Sequence, residues 1–304
     1  MERIISFIST LVSLIADSLA LIFSFIILFL LILRTIQAKL NRIPNVIDVP
    51  LILSINILCI MIGKILIQTS HITYPSMKTY LQNRTSIKND FSCHVRAYLL
   101  WCFIGILYWN YALLTFFRFA RIIYSQHKYL HRLSYYLYVF VPLIVLIILL
   151  LILPVFLISS GIQITPTQPY CDVVFKPVGY IVYIGVIVFV IPYGMICMFY
   201  FCIARFLRRT TTMPLNQERN RRDYRVIKRI VLNVIILGIV STPGVILIIL
   251  YNIDNRFEDF TYSITWPMSS IAALIFTIIF PFITTKLCCL VKRNEVIPVV
   301  ENLQ

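Results

Sequence analysis

Long apolar runs alternate with short polar ones along the whole chain. Seven runs stand out, at about 4–33, 46–69, 97–124, 135–159, 178–207, 226–251 and 262–285. Each is long enough to cross roughly 30 Å of hydrocarbon, which takes about 20 helical residues at 1.5 Å each. Their apolar residues are near-continuous, so the pattern predicts helices rather than the ~10-residue alternating strands of a membrane barrel. The first run is interrupted only by Asp17, and it is longer than the apolar core of a signal peptide, about 7–15 residues. No internal repeat and no linker divides the runs. The expected fold is an all-α membrane protein: one seven-transmembrane helix bundle spanning 1–304, with a short cytoplasmic tail over 286–304.

Composition supports that reading. Hydrophobic residues make up 60% of the chain and charged ones only 13%, against about 25% charged in a soluble domain. A water-soluble globule of this balance would expose large, aggregating apolar patches, which excludes a soluble enzyme or a disordered linker. The net charge of +15 would suggest nucleic acid in a soluble protein. Here it reads as topology, and no nucleic-acid partner is expected. Nineteen of the 27 Lys and Arg residues lie near the inner ends of the first, third, fifth and seventh runs. Basic residues collect on the cytoplasmic side. The amino terminus is therefore expected outside a plasma membrane and the carboxyl terminus inside. The one N-x-[ST] sequon, at Asn83, falls in a loop that this topology places outside, where glycosylation occurs.

The eight cysteines divide by position. Cys59, Cys102, Cys197 and Cys202 lie inside apolar runs and read as small buried hydrophobes. Cys93 and Cys171 are the two on the outer, oxidising side, so they are expected to bond to each other. Cys288 and Cys289 follow the last run beside Lys286, Lys292 and Arg293. They are either palmitoylated or plain thiols at the interface. No metal-ligand spacing, nucleophile–base pairing, Walker loop or GxGxxG is present, so neither an enzyme nor a cofactor is expected. Acids are nearly absent from the runs, which disfavours an ion-coupled carrier.

Spacing adds a further signal. Arg118 follows Cys93 by 25 residues, about 37 Å of helix, enough to run from the outer face to the inner one. Pro192 precedes Tyr200 by eight residues, Pro243 sits in the sixth run, and Pro281 closes the seventh in Phe280-Pro281-Phe282. With these residues in register, the chain resembles a divergent rhodopsin-like (class A) G-protein-coupled receptor over nearly its whole length. The resemblance implies that Arg118 stands at the arginine of the family's Asp/Glu-Arg-Tyr motif, although Phe117 and Phe119 flank it here. It implies that Tyr200 supports the inner end of the active bundle, that Pro243 kinks the sixth helix, and that Asp223 pairs with Arg118 in the inactive state. Ser241 replaces the usual tryptophan before Pro243, and Phe280 stands where the family has asparagine. A short amphipathic eighth helix is implied around Cys288 and Cys289.

The same register bears on the ligand. Leu100 occupies the position where amine receptors carry aspartate, and Leu274 the position of the retinal lysine in opsins. Neither a biogenic amine nor light is the expected stimulus. Tyr98, Leu100, Trp101, Gly105, Gly244, Ile248, Trp266 and Ser270 are expected to line an apolar, aromatic outer cavity. Its rim carries both signs, Lys78, Arg84, Lys88 and Arg96 against Asp254, Glu258 and Asp259. A peptide or a hydrophobic small molecule would suit it. The basic inner mouth, with Arg208, Arg209, Arg219, Arg221 and Arg222, would receive a heterotrimeric G protein and also attract anionic membrane lipid. The expected function is a receptor relaying an extracellular signal to a G protein by sixth-helix movement. The alternatives are a non-signalling seven-helix binding protein or a ligand-gated channel.

Overall fold

The computed structural model describes residues 2–40, 49–82, 91–124, 136–157, 162–164, 170–173, 178–210, 246–247, 249–253 and 258–283. Its helices are α1 (Glu2–Leu40), α2 (Val49–Gln68), α3 (Tyr74–Gln82), α4 (Phe91–Ile123), α5 (Val141–Leu157), α6 (Val178–Gly185), α7 (Ile191–Thr210) and α8 (Glu258–Ile283). Two short strands, β1 (Ile162–Ile164) and β2 (Cys171–Val173), pair antiparallel with Ile164 opposite Cys171. Six rods among the described residues are long and apolar enough to cross a membrane, and the fold is a bundle of the seven-transmembrane type. The sixth expected run lies outside the described residues except at 246–247 and 249–253, which are helical. The tail and the expected eighth helix also lie outside them.

Among the described residues three rods contain a single wide turn of π-helix, at Thr69–Thr73, Tyr136–Phe140 and Val186–Val190. Each ends two residues before a proline: Pro75, Pro142 and Pro192. A helical proline has no N–H and its ring collides with the carbonyl four residues back. Widening the preceding turn relieves the collision and carries the helix past the proline. At two of these sites the residue before the proline bonds five residues back, Tyr74 N–H to Thr69 O and Ile191 N–H to Val186 O. This is why α2 and α3 form one continuous rod reaching Gln82, beyond the expected end near 69, and why α6 and α7 form another. The freed Ile187 carbonyl accepts the Trp109 indole N–H at 3.0 Å, tying α4 to this rod.

α4 is the central element. It packs against α2, α5, the α6–α7 rod and β2. Gly63 lets the Phe103 ring lie against α2; a Cβ there would meet the ring at 2.5 Å. α1 packs chiefly along α8. Its inward stripe is small or hydroxylic for most of its length, with Ser6, Thr10, Ser13, Ala16, Ala20 and Ser24 buried. α5 is the opposite case: among its described residues only Ile148, Ile152 and Val155 are buried, and the rest of its surface suits hydrocarbon. The same principle corrects one expectation about the cysteines. Of the four cysteines within the apolar runs only Cys102 is buried; Cys59 and Cys197 are exposed and Cys202 is intermediate. Lipid solvates an apolar side chain as readily as a packed core does, so a position inside an apolar run does not imply an inward one.

Candidate functional site

At one end of the bundle Cys93, near the start of α4, is bonded to Cys171 of β2, with Cα atoms 5.7 Å apart. The bond draws the β1–β2 hairpin across the helix ends. Cys171, Asp172 and Val173 are all buried, an uncommon location for a loop. Its polar groups must therefore find partners among the helices. His71, in the wide turn before Pro75, donates from Nε2 to the Cys171 carbonyl at 2.8 Å.

Asp172 makes the strongest attachment. Its Oδ1 accepts from the Trp101 indole at 3.0 Å and from the Val173 amide at 2.7 Å. Its Oδ2 accepts from the Trp266 indole at 2.9 Å. One carboxylate thus clamps α4, the hairpin and α8 together. The two indoles also meet edge to face, with centroids 6.1 Å apart, a favourable arrangement for aromatic pairs. Burial pushes the Asp172 carboxyl up to about 6, against the pull of the three donors. Asp172 was absent from the expectations drawn from sequence. Its position next to Cys171 was the available signal, because whatever follows the bridged cysteine is held at the mouth of the bundle.

Beside this clamp lies a cleft between α1, the α2–α3 rod and α8. Its walls are hydroxylic, with Ser9, Thr10, Ser13, Thr73, Ser76 and Ser263, and Tyr170, Trp266 and Pro267 close it toward the clamp. One helical turn deeper sits a polar cluster. Gln68 donates to Ser270 Oγ at 2.7 Å and Lys64 to Ser269 Oγ at 3.0 Å. Asp17 and Lys64 are both buried, and the Lys64 ammonium acts electrostatically on the Asp17 carboxylate.

The other expected pocket residues distribute unevenly. Leu100, Trp101 and Trp266 are buried in one cluster with the hairpin residues Cys171 and Val173, and Ser270 is buried on the other side, against Gln68 of α2. Tyr98 turns to α5 instead, its ring tilted against Phe156 with centroids 5.0 Å apart and its hydroxyl donating to the Leu149 carbonyl at 2.8 Å. Gly105 lies against Ile148 and Val188, whose methyl groups would meet a Cβ at 2.9 and 3.4 Å. Gly244 and Ile248 lie outside the described residues, as do Asn83, Cys288 and Cys289.

The far end of α4 carries the second set. Arg118 stands beside the Tyr200 hydroxyl, which also accepts from Thr115 Oγ1 at 3.3 Å. Tyr200 is buried with Ala112, Ile196 and Ile203. Pro192 starts the straight part of the same rod, so the Pro192–Tyr200 spacing delivers Tyr200 to Arg118 two turns later. Phe117 and Phe280 are buried in one cluster with Tyr136, Ile57 and Leu113. Both large aromatics at motif positions therefore serve packing here. Pro281 lies in α8; Asp223 and Pro243 lie outside the described residues. Midway, Asn56 donates to Asn110 at 2.8 Å, joining α2 to α4.

No curated protein matches the chain at a significant level. The family pattern of the 7 transmembrane receptor (rhodopsin family) matches residues 65–283. That span takes in the bridged cysteines, the Trp101–Asp172–Trp266 clamp and the Arg118–Tyr200 contact, and the chain belongs to the rhodopsin family of seven-transmembrane receptors.

Proposed function

We propose that this receptor sits in the plasma membrane with its disulfide end outside and its Arg118 end inside, and that it relays an extracellular chemical or peptide signal to a heterotrimeric G protein. The observation that carries the reading is the Arg118–Tyr200–Thr115 group, about 37 Å of helix away from the Cys93–Cys171 bridge. A basic group half-buried at the end of a helical bundle, against a hydroxyl that two neighbouring helices share, is a contact that helix movement makes or breaks. The nineteen basic residues that the order of apolar runs assigns to the same side as Arg118 support its cytoplasmic orientation and would favour docking of an acidic or amphipathic partner helix. Signalling would be a two-state change of the bundle, biased by whichever ligand contacts differ between the states. No enzymatic role is proposed.

The test is guanine-nucleotide exchange in membranes expressing the chain, with a panel of G proteins and tissue extracts, and with Arg118→Ala at matched surface expression. Exchange above untransfected membranes that Arg118→Ala abolishes supports the reading. Exchange that survives the substitution removes Arg118 from the mechanism. A chain that reaches the surface but drives no exchange under any extract favours a non-signalling binding protein.

A further inference from the structure

We infer that the α1–α2–α8 cluster is a binding site for a compact zwitterion, whose ammonium is taken by Asp17 and whose carboxylate is taken by Lys64. The inference rests on the receptor reading above and supplies its ligand class.

The argument starts from unmet hydrogen-bonding capacity. Asp17 is 1% exposed, and neither of its carboxylate oxygens has a hydrogen-bond partner. The Ser270 and Thr69 hydroxyls lie near it without bonding. Gln68 is fully buried and uses only its amide N–H; its Oε1 is unpartnered. Thr73 Oγ1, in the wall of the cleft, is unpartnered as well. Lys64 spends one of its N–H donors, on Ser269. Buried polar atoms are normally satisfied, and each one left open costs about 1–3 kcal/mol. Four unmet oxygens and an under-used ammonium leave unmet hydrogen-bonding capacity of both signs next to the cleft.

The charges are opposed yet apart. A direct Asp17–Lys64 contact would satisfy much of the cluster, but the carboxylate is not bonded to the ammonium. A guest with one charge would meet one partner and be repelled by the other. A guest with adjacent ammonium and carboxylate groups meets both: the ammonium against Asp17, Gln68 Oε1 and Thr73, the carboxylate against Lys64.

Access comes from the hydroxylic cleft. Three of its lining residues, Ser13, Thr73 and Trp266, each lie one helical turn from the cluster's Asp17, Thr69 and Ser270. Helical side chains lean toward their own N-terminus. In α1 and α8 that direction is toward the cleft, so Asp17 and Ser270 both lean toward the entering guest. The cleft's serine and threonine hydroxyls can donate or accept, which suits a polar guest better than an apolar one.

The experiment uses the full-length chain purified in lipid nanodiscs and reads its thermal unfolding midpoint, which needs no G protein. The probes are L-alanine and glycylglycine, with propylamine and propionate as single-charge controls at equal concentration and ionic strength. A guest that binds only the folded state raises the midpoint with concentration. The expected result is a saturable rise with at least one zwitterion, none with either control, and loss of that rise in both Asp17→Asn and Lys64→Gln. Ser24→Ala, deeper on α1, should keep the response and shows that the fold tolerates change on this helix. An equal response to propylamine or propionate, or a response that survives both substitutions, overturns the inference. So does no response to any probe, which leaves a bridging water as the occupant. These outcomes are independent of nucleotide exchange, so failure here would leave the receptor reading standing.

Discussion

Among the described residues two aspartates are buried, and they are used in opposite ways. Asp172 spends its carboxylate on three N–H donors from α4, α8 and its own hairpin. Asp17 has no hydrogen-bonded donor at all, and faces an ammonium it does not touch. Burial costs a carboxylate several kcal/mol unless it is compensated. Where compensation comes from within the chain, the group is a clasp that holds elements in one arrangement. Where it is missing, the fold has kept an expensive group in a place that a guest or a solvent molecule would complete. The Trp266–Ser270 turn of α8 serves both: Trp266 bonds Asp172, and Ser270, one turn on, accepts from Gln68 beside Asp17. A shift of α8 would therefore be felt at the clasp and at the open cluster together.

The most severe way to break the clasp is to release the hairpin. Replacing Cys93 and Cys171 with Ser together should lower stability by roughly 4 kcal/mol, from the loop-closure entropy of a 78-residue separation. Thermal unfolding of the purified chain measures it, and a change under 1 kcal/mol would mean that the hydrogen bonds hold the hairpin unaided.

Next comes Asp172→Ala, which orphans two buried indole N–H groups. A loss of roughly 2 kcal/mol is expected. Asp172→Asn keeps one acceptor oxygen and should lose less. Equal losses in the two variants would show that packing, and not acceptance, is the carboxylate's role.

Acidity sharpens the comparison further. Burial holds the Asp172 carboxyl up at about 6, above the ordinary 3.9 of an unfolded chain. Between those values the folded state holds a proton that the unfolded state has lost. The contribution of this group to stability is therefore greatest below about 4 and is lost as pH rises through about 6. The wild type should gain up to about 1.4 kcal/mol per unit over Asp172→Asn as pH falls from about 6 toward 4. A flat difference between the two across that window would contradict the burial argument.

The smallest effect is expected at the open site. Asp17→Asn removes no hydrogen bond; it costs the attraction to Lys64 but relieves the burial of an uncompensated charge, so any loss of stability should be under about 1 kcal/mol and a gain is equally consistent with an open site. A loss as large as that of Asp172→Ala would show that Asp17 is already satisfied in the membrane, and the contrast between the two aspartates would collapse.

The long elements and their order could be read directly from hydropathy, because a chain that crosses lipid must satisfy its backbone within each segment. Six of the seven expected runs appear as rods among the described residues, and the Cys93–Cys171 bridge is where oxidising-side cysteines were expected. The detailed site was less accessible. Tyr98 and Trp101 are three residues apart on one helix, yet Tyr98 serves α5 and Trp101 serves Asp172. Such a choice depends on which neighbour stands opposite each face. Lys64 and Asp17 were visible as isolated charges; that they face each other could not be read from positions 47 residues apart.

Apolar run length, the placement of basic residues and the spacing of Cys93, Arg118, Pro192 and Tyr200 determined the membrane class, the helical fold and the family of this protein. These are one-dimensional signals, set by the thickness of hydrocarbon and the rise of a helix. The tertiary structure alone decided which aspartate became a clasp and which was left open, because satisfaction of a buried polar group is a property of three or four segments meeting at one point. The rods that make both meetings are long and stiff, so a turn's difference in where α8 passes α1 and α4 decides which carboxylate finds its donors.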